Sequence, residues 1–257
     1  MAELTDVITF LGTAGARFVV AHQFLASGGA WLSFGNTQIL LDPGPGSLVQ
    51  ATKRRFDPSK LDAIILSHKH LDHSGDINIM IEAMANGGRN RRGTVFTPAD
   101  ALDQDPVILS YLLAYPKKIE ILTEGACYKV NDISFETPVR HRHGVETYGF
   151  IFRTPRHTLS WITDTKYFDA LPRYYVGELL IINVVMLSPK APVDHLSLPE
   201  ATEIIKQVKP KKAILTHFGM TMWRAKPWEL AQKLTEETGI SVIAARDGMR
   251  FDLAQLE

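Results

Sequence analysis

Short runs of alternating or β-branched apolar residues recur along the whole chain, separated by polar stretches that contain glycine or proline. Alternation with a period of two puts every second side chain on the same face, which is typical of a strand with one buried face. The runs predict strands at residues 7–11, 31–34, 38–41, 63–66, 119–122, 133–137, 147–153, 159–163, 179–183, 213–216, 242–244 and 249–252.

Three segments between these runs have the pattern of a helix. Ile77, Met80, Ile81 and Met84 fall at i, i+3, i+4 and i+7, and the two glycines at 87 and 88 would end that helix. A second helix is predicted after residue 197, where Ser and Glu have the spacing of a capping box around a proline. A third is expected from residue 227 to residue 239.

The strands and helices form two strand-rich halves that each close with helices, and no Ser/Gly/Pro-rich linker divides them. The pattern therefore predicts one domain over residues 1–257, of the α/β (α+β) class. Residues 89–115 contain "GGRNRRG" and "ALDQDPV", which predict an irregular surface insertion near the first helix.

Composition narrows the class of protein further. Apolar residues make up 45% of the chain, and 28 basic residues balance 28 acidic ones, which is typical of a soluble globular protein and disfavours sequence-independent nucleic-acid binding. No apolar run is long enough for a membrane span, and we expect a cytoplasmic protein. The single cysteine, Cys127, is expected to be a small buried hydrophobe. A homodimer is left open.

The stretch "SHKHLDHSGD" holds four candidate metal ligands between a predicted strand and a predicted helix. In an extended segment His68 and His70 point the same way, and a turn after them can bring Asp72 and His73 to a neighbouring side. Imidazole and carboxylate together suit zinc, manganese or iron. The alternative is a solvated turn that happens to be rich in histidine, which this dense spacing disfavours.

The sequence "DAIILSHKHLDHSGD" resembles the signature of the metallo-β-lactamase superfamily, in its ribonuclease Z and cyclic phosphodiesterase-like branch. The resemblance runs from "ITFLGT" near the N-terminus almost to the last residue. It implies an αββα sandwich, in which two mixed β-sheets face each other with helices outside. It also implies a dinuclear metal centre at one edge, where two divalent ions, zinc above all or else manganese or iron, activate a bridging water.

The same resemblance implies the remaining ligands. "RHRHGVETYGFIF" offers His141 and His143, of which His143 matches the ligand position and His141 is the alternative. "SWITDTKYF" implies a bridging Asp164, and "AILTHFG" implies His217. The inferred sets are His68, His70, His143 and Asp164 for one ion, and Asp72, His73, Asp164 and His217 for the other. Asp42 in "LLDPGPG" matches a position that supports the ligands by hydrogen bonding.

The residues around the predicted centre favour a phosphodiesterase. Flavodiiron-type members carry a carboxylate at the position of His70, so redox chemistry is disfavoured. "VDHLSLPE" resembles the His-x-Thr segment of phosphodiesterase members, with Ser197 in place of threonine. This implies that His195 contacts a phosphate oxygen or protonates the leaving alkoxide, and that Asp72 orients or deprotonates the water. The alternative for His195 is a polar residue ahead of a capped helix.

The spacing of two ligands indicates the size of the substrate. Ribonuclease Z enzymes of the usual kind carry a tRNA-gripping arm between the third histidine and the bridging aspartate, but His143 and Asp164 are only 21 positions apart. We therefore expect a small phosphodiester or short nucleotide as substrate. The alternatives are a ribonuclease Z-like RNA endonuclease, a lactone or thioester hydrolase, and a noncatalytic metal-binding protein. Candidate phosphate contacts are Arg89, Arg91, Arg92 and Ser197, although a solvated loop also explains the arginines.

Overall fold

The computed structural model describes residues 6–190 and 192–257. Within these ranges the chain forms two β-sheets of seven strands each. The predicted domain also included residues 1–5 and 191, which lie outside the described residues.

The first sheet is built almost wholly from the first half of the chain. Its strands are β1 (Val7–Phe10), β2 (Ala30–Phe34), β3 (Thr37–Leu41), β4 (Ala63–Ile65), β5 (Thr94–Thr97), β6 (Lys118–Ile121) and β14 (Arg250–Asp252). They lie in the order β14-β1-β2-β3-β4-β5-β6. The pairs from β14 to β3 are antiparallel and those from β3 to β6 are parallel, so the sheet is mixed.

The second sheet comes from the second half of the chain. Its strands are β7 (Ala126–Val130), β8 (Ile133–Thr137), β9 (Phe150–Arg153), β10 (Thr158–Ile162), β11 (Leu179–Asn183), β12 (Lys212–Thr216) and β13 (Ser241–Ala244). They lie in the order β13-β12-β11-β10-β9-β8-β7. Strands β10 to β13 are parallel. Their carboxyl ends therefore meet at one edge, which is where ligands collect in parallel sheets.

Helices cover the outer faces of both sheets. They are α1 (Ala16–Ala21), α2 (Ser47–Lys53), α3 (Leu71–Ser74), α4 (Ile77–Met84), α5 (Leu198–Val208), α6 (Met220–Arg224) and α7 (Pro227–Thr238). Ile81 of α4 packs in a cluster with Ile64 of the first sheet, and Ile204 of α5 packs with Leu180 of the second. A third apolar cluster joins the two sheets to each other. The αββα sandwich implied by the resemblance is confirmed.

The predicted helices are present, and their ends follow the expected signals. Helix α4 spans the four apolar residues of the predicted stripe, all of which are buried. Helix α5 has Ser197 as its N-cap, where the Ser197 backbone N–H donates to the Glu200 carboxylate at 2.7 Å. Helix α7 ends at Gly239, whose φ of 70° is the left-handed conformation that glycine adopts most easily.

Three features correct the sequence-based expectations. Residues 89–115 are not wholly irregular, because β5 lies within them and pairs in parallel with β4 and β6. Strand β7 was also missed, since it is short and its inward residues Ala126 and Tyr128 are only partly buried. Cys127 on this edge strand is exposed rather than buried. Among the described residues, no helix is long and apolar enough to cross a membrane.

Candidate metal centre

Loops at one edge of the sandwich carry the predicted ligands. His68 lies three positions beyond the end of β4, and the short helix α3 carries Asp72 and His73. Asp164 lies just beyond the end of β10, and His217 just beyond the end of β12. Because β10 and β12 run parallel in one sheet, their carboxyl ends deliver these two side chains to the same edge.

The first group of candidate ligands contains three histidines. His68, His70 and His143 each offer a nitrogen, and these atoms lie within 4.8 Å of one another. His143 donates its Nδ1–H to the carbonyl oxygen of Asp194 at 2.8 Å, which leaves its Nε2 facing Nδ1 of His70 at 3.0 Å. The Nδ1 of His68 lies 3.0 Å from the Ser67 hydroxyl, so its Nε2 points inward. The rings of His68 and His143 are thus each held by one nitrogen and present the other.

The second group combines two carboxylates with two histidines. The ligand atoms of Asp72, His73, Asp164 and His217 also lie within 4.8 Å of one another. The Nε2 of His73 is 3.4 Å from Asp164 Oδ2 and 3.8 Å from Asp72 Oδ2. His217 lies between the same carboxylates, with Nε2 3.5 Å from Asp72 and Nδ1 3.4 Å from Asp164.

The buried carboxylate of Asp164 lies between the two groups. Its Oδ2 is 3.9 Å from Nε2 of His68, in the first group. The same oxygen is 3.4 Å from Nδ1 of His195, whose ring centre lies 5.0 Å from that of His143. Its Oδ1 faces His217 of the second group. Asp164 therefore faces both groups.

The donor set fits divalent metal ions. Within the ligand cluster, several buried ring nitrogens have no hydrogen-bond partner among the described residues, namely His68 Nε2, His73 Nε2, His195 Nδ1 and both nitrogens of His217. Buried polar atoms are costly without a partner, so their convergence on shared carboxylates is accounted for by a cation. Imidazole nitrogen and carboxylate oxygen are the ligands that zinc and similar metals prefer.

The electrostatics of the cluster differ from one histidine to the next. Burial, together with the neighbouring His143, lowers the pKa of His70 to about 4. Burial lowers the pKa of His68 well below its ordinary value. At His73 burial acts in the same direction, but the carboxylates led by Asp42 outweigh it and raise the pKa well above its ordinary value. A metal ion that binds His73 must therefore displace a proton.

Asp42 lies behind the second group, in the supporting position that the resemblance implied. His73 donates its Nδ1–H to Asp42 at 2.9 Å. Gly44 continues the turn after β3 and approaches Asp72 so closely that a Cβ there would lie 2.0 Å from the Asp72 carbonyl oxygen. Only glycine therefore fits this position.

His141 and His143 have different surroundings. His143 lies in the first ligand group. His141 is buried behind it, donates its Nδ1–H to the Asp164 carbonyl oxygen at 3.2 Å, and accepts a hydrogen bond from the Tyr175 hydroxyl at Nε2. Burial lowers the pKa of His141 to about 4. Both of its nitrogens are used by the protein, so it supports the loop instead of offering a ligand atom.

Asn183 is a functional candidate that the sequence analysis missed. It ends β11, and its amide donates to Asp164 Oδ1 at 2.9 Å. Trp161 donates its indole N–H to the Asn183 amide oxygen at 3.3 Å, which sets the orientation of the amide. A polar residue at the end of the apolar strand "LLIIN" was the signal that could have revealed it.

The structure does not bring the candidate phosphate contacts to the metal ligands. Arg92 binds Asp62 at the amino end of β4, whereas His68 follows the carboxyl end of that strand. Asp62 and His68 are six positions apart on opposite sides of β4, a span of up to roughly 20 Å. Arg91 donates to the Pro116 carbonyl, and Arg89 is exposed on the same loop. Ser197 is fully buried, and its hydroxyl donates to Glu200. These contacts correct the expectation that the arginine loop lies beside the site.

Comparison with known proteins agrees with the fold. The family model for the Beta-lactamase superfamily domain matches residues 37–218, and the chain belongs to this superfamily. The uncharacterized protein MJ1374 of Methanocaldococcus jannaschii is 28% identical over 255 residues, which cover 96% of this chain and 94% of that protein. Ribonuclease Z of Methanococcus maripaludis is 25% identical over 227 residues, which cover 79% and 72% respectively.

Two solved structures share the fold. The metallo-beta-lactamase fold protein YhfI from Bacillus subtilis has a TM-score of 0.81 at 21% identity and covers 96% of this chain and 99% of its own. A diphosphatase of the PhnP family has a TM-score of 0.72 at 18% identity and covers 96% and 97%. Superfamily membership and the histidine–aspartate cluster together define a metallo-hydrolase that binds divalent metal.

Proposed function

We propose that this chain is a dinuclear metal-dependent phosphodiesterase that acts on a small phosphodiester or nucleotide. The observation that carries the proposal is the position of His195. Its Nδ1 lies 3.4 Å from Asp164 Oδ2, and its side chain is 17% exposed, so one edge of the ring reaches solvent beside both ligand groups. The PhnP-family diphosphatase and the ribonuclease Z relatives supply the precedent for phosphate chemistry.

The two ligand groups would hold one divalent ion each, with Asp164 shared between them. His68, His70 and His143 would complete one site, and Asp72, His73 and His217 the other. Zinc is our first expectation, with manganese or iron as alternatives. When bound, such ions neutralise charge on phosphate oxygens and lower the pKa of water towards neutrality.

Asp72 and His195 would handle the protons. The Asp72 carboxylate is 16% exposed, so it can accept a hydrogen bond from the attacking water and take up its proton. The Nδ1 of His195 faces Asp164, which leaves Nε2 for the substrate. There it donates to the leaving oxygen and, as the P–O bond breaks, protonates the alkoxide.

A ribonuclease Z-like endonuclease is the second candidate, favoured by the names of several relatives. The segment between His143 and Asp164 argues against a tRNA-gripping arm. It forms the antiparallel pair β9 and β10, joined only by residues 154–157. This leaves a compact hairpin in place of an added domain, which is why we favour a smaller substrate.

The first test is hydrolysis of bis(4-nitrophenyl) phosphate by protein reconstituted with zinc or with manganese. With a 2′,3′-cyclic nucleotide, whose leaving group is an alkoxide, His195→Ala should lower kcat by roughly 10²- to 10⁴-fold, the usual share of a proton-transferring side chain. With bis(4-nitrophenyl) phosphate the loss should be much smaller, because 4-nitrophenolate leaves without a proton. His22→Ala, which removes an exposed histidine, is the matched control. If all the proteins bind metal and none hydrolyses the phosphodiester, the proposal fails, and lactones and thioesters become the substrates to try.

Asp72→Ala should abolish turnover and leave the fold intact. The carboxylate lies at the edge of the site, and the main apolar clusters do not include it. Circular dichroism should therefore match that of the unsubstituted protein. Full activity in this variant would overturn the assignment of Asp72. If the unsubstituted protein also binds metal normally and is inactive, the chain is a noncatalytic metal-binding protein.

A further inference from the structure

A second cavity lies at the same edge of the second sheet, outside the metal centre. Its volume is about 370 Å³, and its walls include Leu25, Phe218, Trp223, Trp228 and Arg246. This volume is in the range of small-molecule sites. It adjoins the carboxyl ends of the parallel strands β12 and β13, the place where such sheets bind ligands.

A backbone ladder separates this cavity from the metal ligands. Phe218 donates its backbone N–H to the Thr13 carbonyl at 2.8 Å, and Gly15 donates to the Phe218 carbonyl at 3.0 Å. Gly15 packs directly on His217, where a Cβ would lie 2.4 Å from the ring nitrogen Nδ1. A molecule in the cavity would therefore contact the outer side of this ladder, away from the ligand atoms.

The walls of the cavity offer flat aromatic surface. The Trp223 indole stacks on Phe24, with ring centres 5.0 Å apart and an interplanar angle of 13°, which holds it in place. Trp228 is 49% exposed and makes no ring contact or hydrogen bond with its side chain in the described part of the chain. A half-exposed indole beside an apolar cavity is suited to a planar ring, because stacked aromatic pairs gain more than their buried area alone.

Two opposite charges, Arg246 and Asp247, line the cavity, and among the described residues only the cationic one is not engaged by the protein. The Asp247 carboxylate is already used, since it accepts hydrogen bonds from the Thr13 backbone, the Thr13 hydroxyl and the Ala26 backbone at 2.7–2.9 Å. The Lys226 ammonium nearby pairs with Glu229 at 2.8 Å. The Arg246 guanidinium has no hydrogen bond or ion pair within residues 6–190 and 192–257. A free guanidinium favours a carboxylate, which it can bind through two parallel hydrogen bonds.

We propose that this cavity binds a small aromatic carboxylate, with the ring against Trp228 and Trp223 and the carboxylate on Arg246. The site is separate from the proposed phosphodiesterase centre and does not depend on that function.

The test is a ¹⁹F NMR titration of metal-loaded protein with 4-(trifluoromethyl)benzoate. We expect saturable binding that Trp228→Ala abolishes and that Arg246→Ala weakens about tenfold, the effect of losing one charge-assisted hydrogen-bonding partner. Arg250→Ala, which removes an exposed arginine of β14, is the matched control and should leave affinity unchanged. The uncharged 4-(trifluoromethyl)benzamide should bind about tenfold more weakly than the benzoate.

Three results would overturn the proposal. The first is the absence of saturable binding. The second is equal binding by the unsubstituted protein, Trp228→Ala and Arg246→Ala, because the carboxylate would then occupy the metal centre. The third is equal weakening by Arg246→Ala and Arg250→Ala, which would indicate unspecific attraction to positive charge. Trp228 and Arg246 are both exposed, so these substitutions keep the fold, and thermal unfolding verifies this.

Discussion

His73 donates its Nδ1–H to Asp42 at 2.9 Å, and this bond leaves Nε2 as the nitrogen that faces the other candidate ligands. Asp42 also accepts from the Ser67 backbone N–H at 2.6 Å and from the Ser67 hydroxyl at 2.8 Å. Its φ of 51° is left-handed, which is uncommon for a residue other than glycine. The Asp42 carboxylate therefore links the end of β3 to Ser67, which precedes His68, and to His73.

Asp42→Asn should weaken metal binding by about 10- to 100-fold, as is usual when a supporting partner of a ligand histidine is lost. The substitution preserves the size of the side chain. It replaces one accepting oxygen by an NH₂ group, which would face the donors of Ser67 and His73. Affinity is measured by competition with a chelator of known strength. Asp62→Asn removes the carboxylate that binds Arg92 at the opposite edge and is the matched control. Unchanged metal affinity in Asp42→Asn would show that His73 needs no such partner.

Asn183→Ala should leave the Asp164 carboxylate less firmly oriented. The change removes the donor to Asp164 Oδ1 and leaves the Trp161 indole N–H without its acceptor. We expect the free energy of unfolding of the metal-free protein to fall by about 1–3 kcal/mol, and metal affinity to fall with it. Urea unfolding and chelator competition measure the two effects. Asn90→Ala, at an exposed loop position, should change neither. Loss of stability without loss of metal affinity would contradict a role in orienting Asp164.

His141 should make stability depend on pH. Burial lowers its pKa in the folded protein to about 4, below its ordinary value of 6.5. Between these values the unfolded chain binds a proton that the folded protein does not, so the free energy of unfolding falls as pH is lowered through this window. When the pH is lowered from 6.5 to 5, His141 should therefore reduce the free energy of unfolding by about 2 kcal/mol.

The variant that tests this is His141→Gln, measured by urea unfolding of the metal-free protein at both pH values. Because Gln does not titrate, the difference in stability between the two pH values should shrink by that amount relative to the unsubstituted protein. Comparing differences cancels the packing cost of the substitution itself. An unaltered pH dependence would mean that the pKa of His141 is the same in the folded and unfolded states.

Arg92→Ala should affect stability and leave catalysis unchanged. Arg92 donates to the Leu61 and Lys60 carbonyls and to Asp62, all at the edge away from the metal ligands. The side chain is one-third exposed, so we expect a loss of about 1 kcal/mol in unfolding free energy. KM for bis(4-nitrophenyl) phosphate should not change. A large rise in KM would place the arginine loop beside the substrate after all.

Local patterns were sufficient for much of the fold. The stripe of α4 and the Ser197–Glu200 cap of α5 depend on residues three or four positions apart, so they can be read without any tertiary contact. Strand β5 could not be read in this way. Its four residues lie between a loop rich in arginine and glycine and a proline, and their burial comes from parallel pairing with β4 and β6.

The sequence alone determined which side chains are available as ligands, because "SHKHLDHSGD" carries four of them within six positions. Tertiary structure decided how they are held. Asn183 meets Asp164 across two paired strands, and His141 meets Tyr175 across 34 positions of sequence. Such partners are unknown until strand order and direction are set. The same reason applies to Arg92, since only the parallel direction of β4 and β5 places its loop at the edge opposite His68.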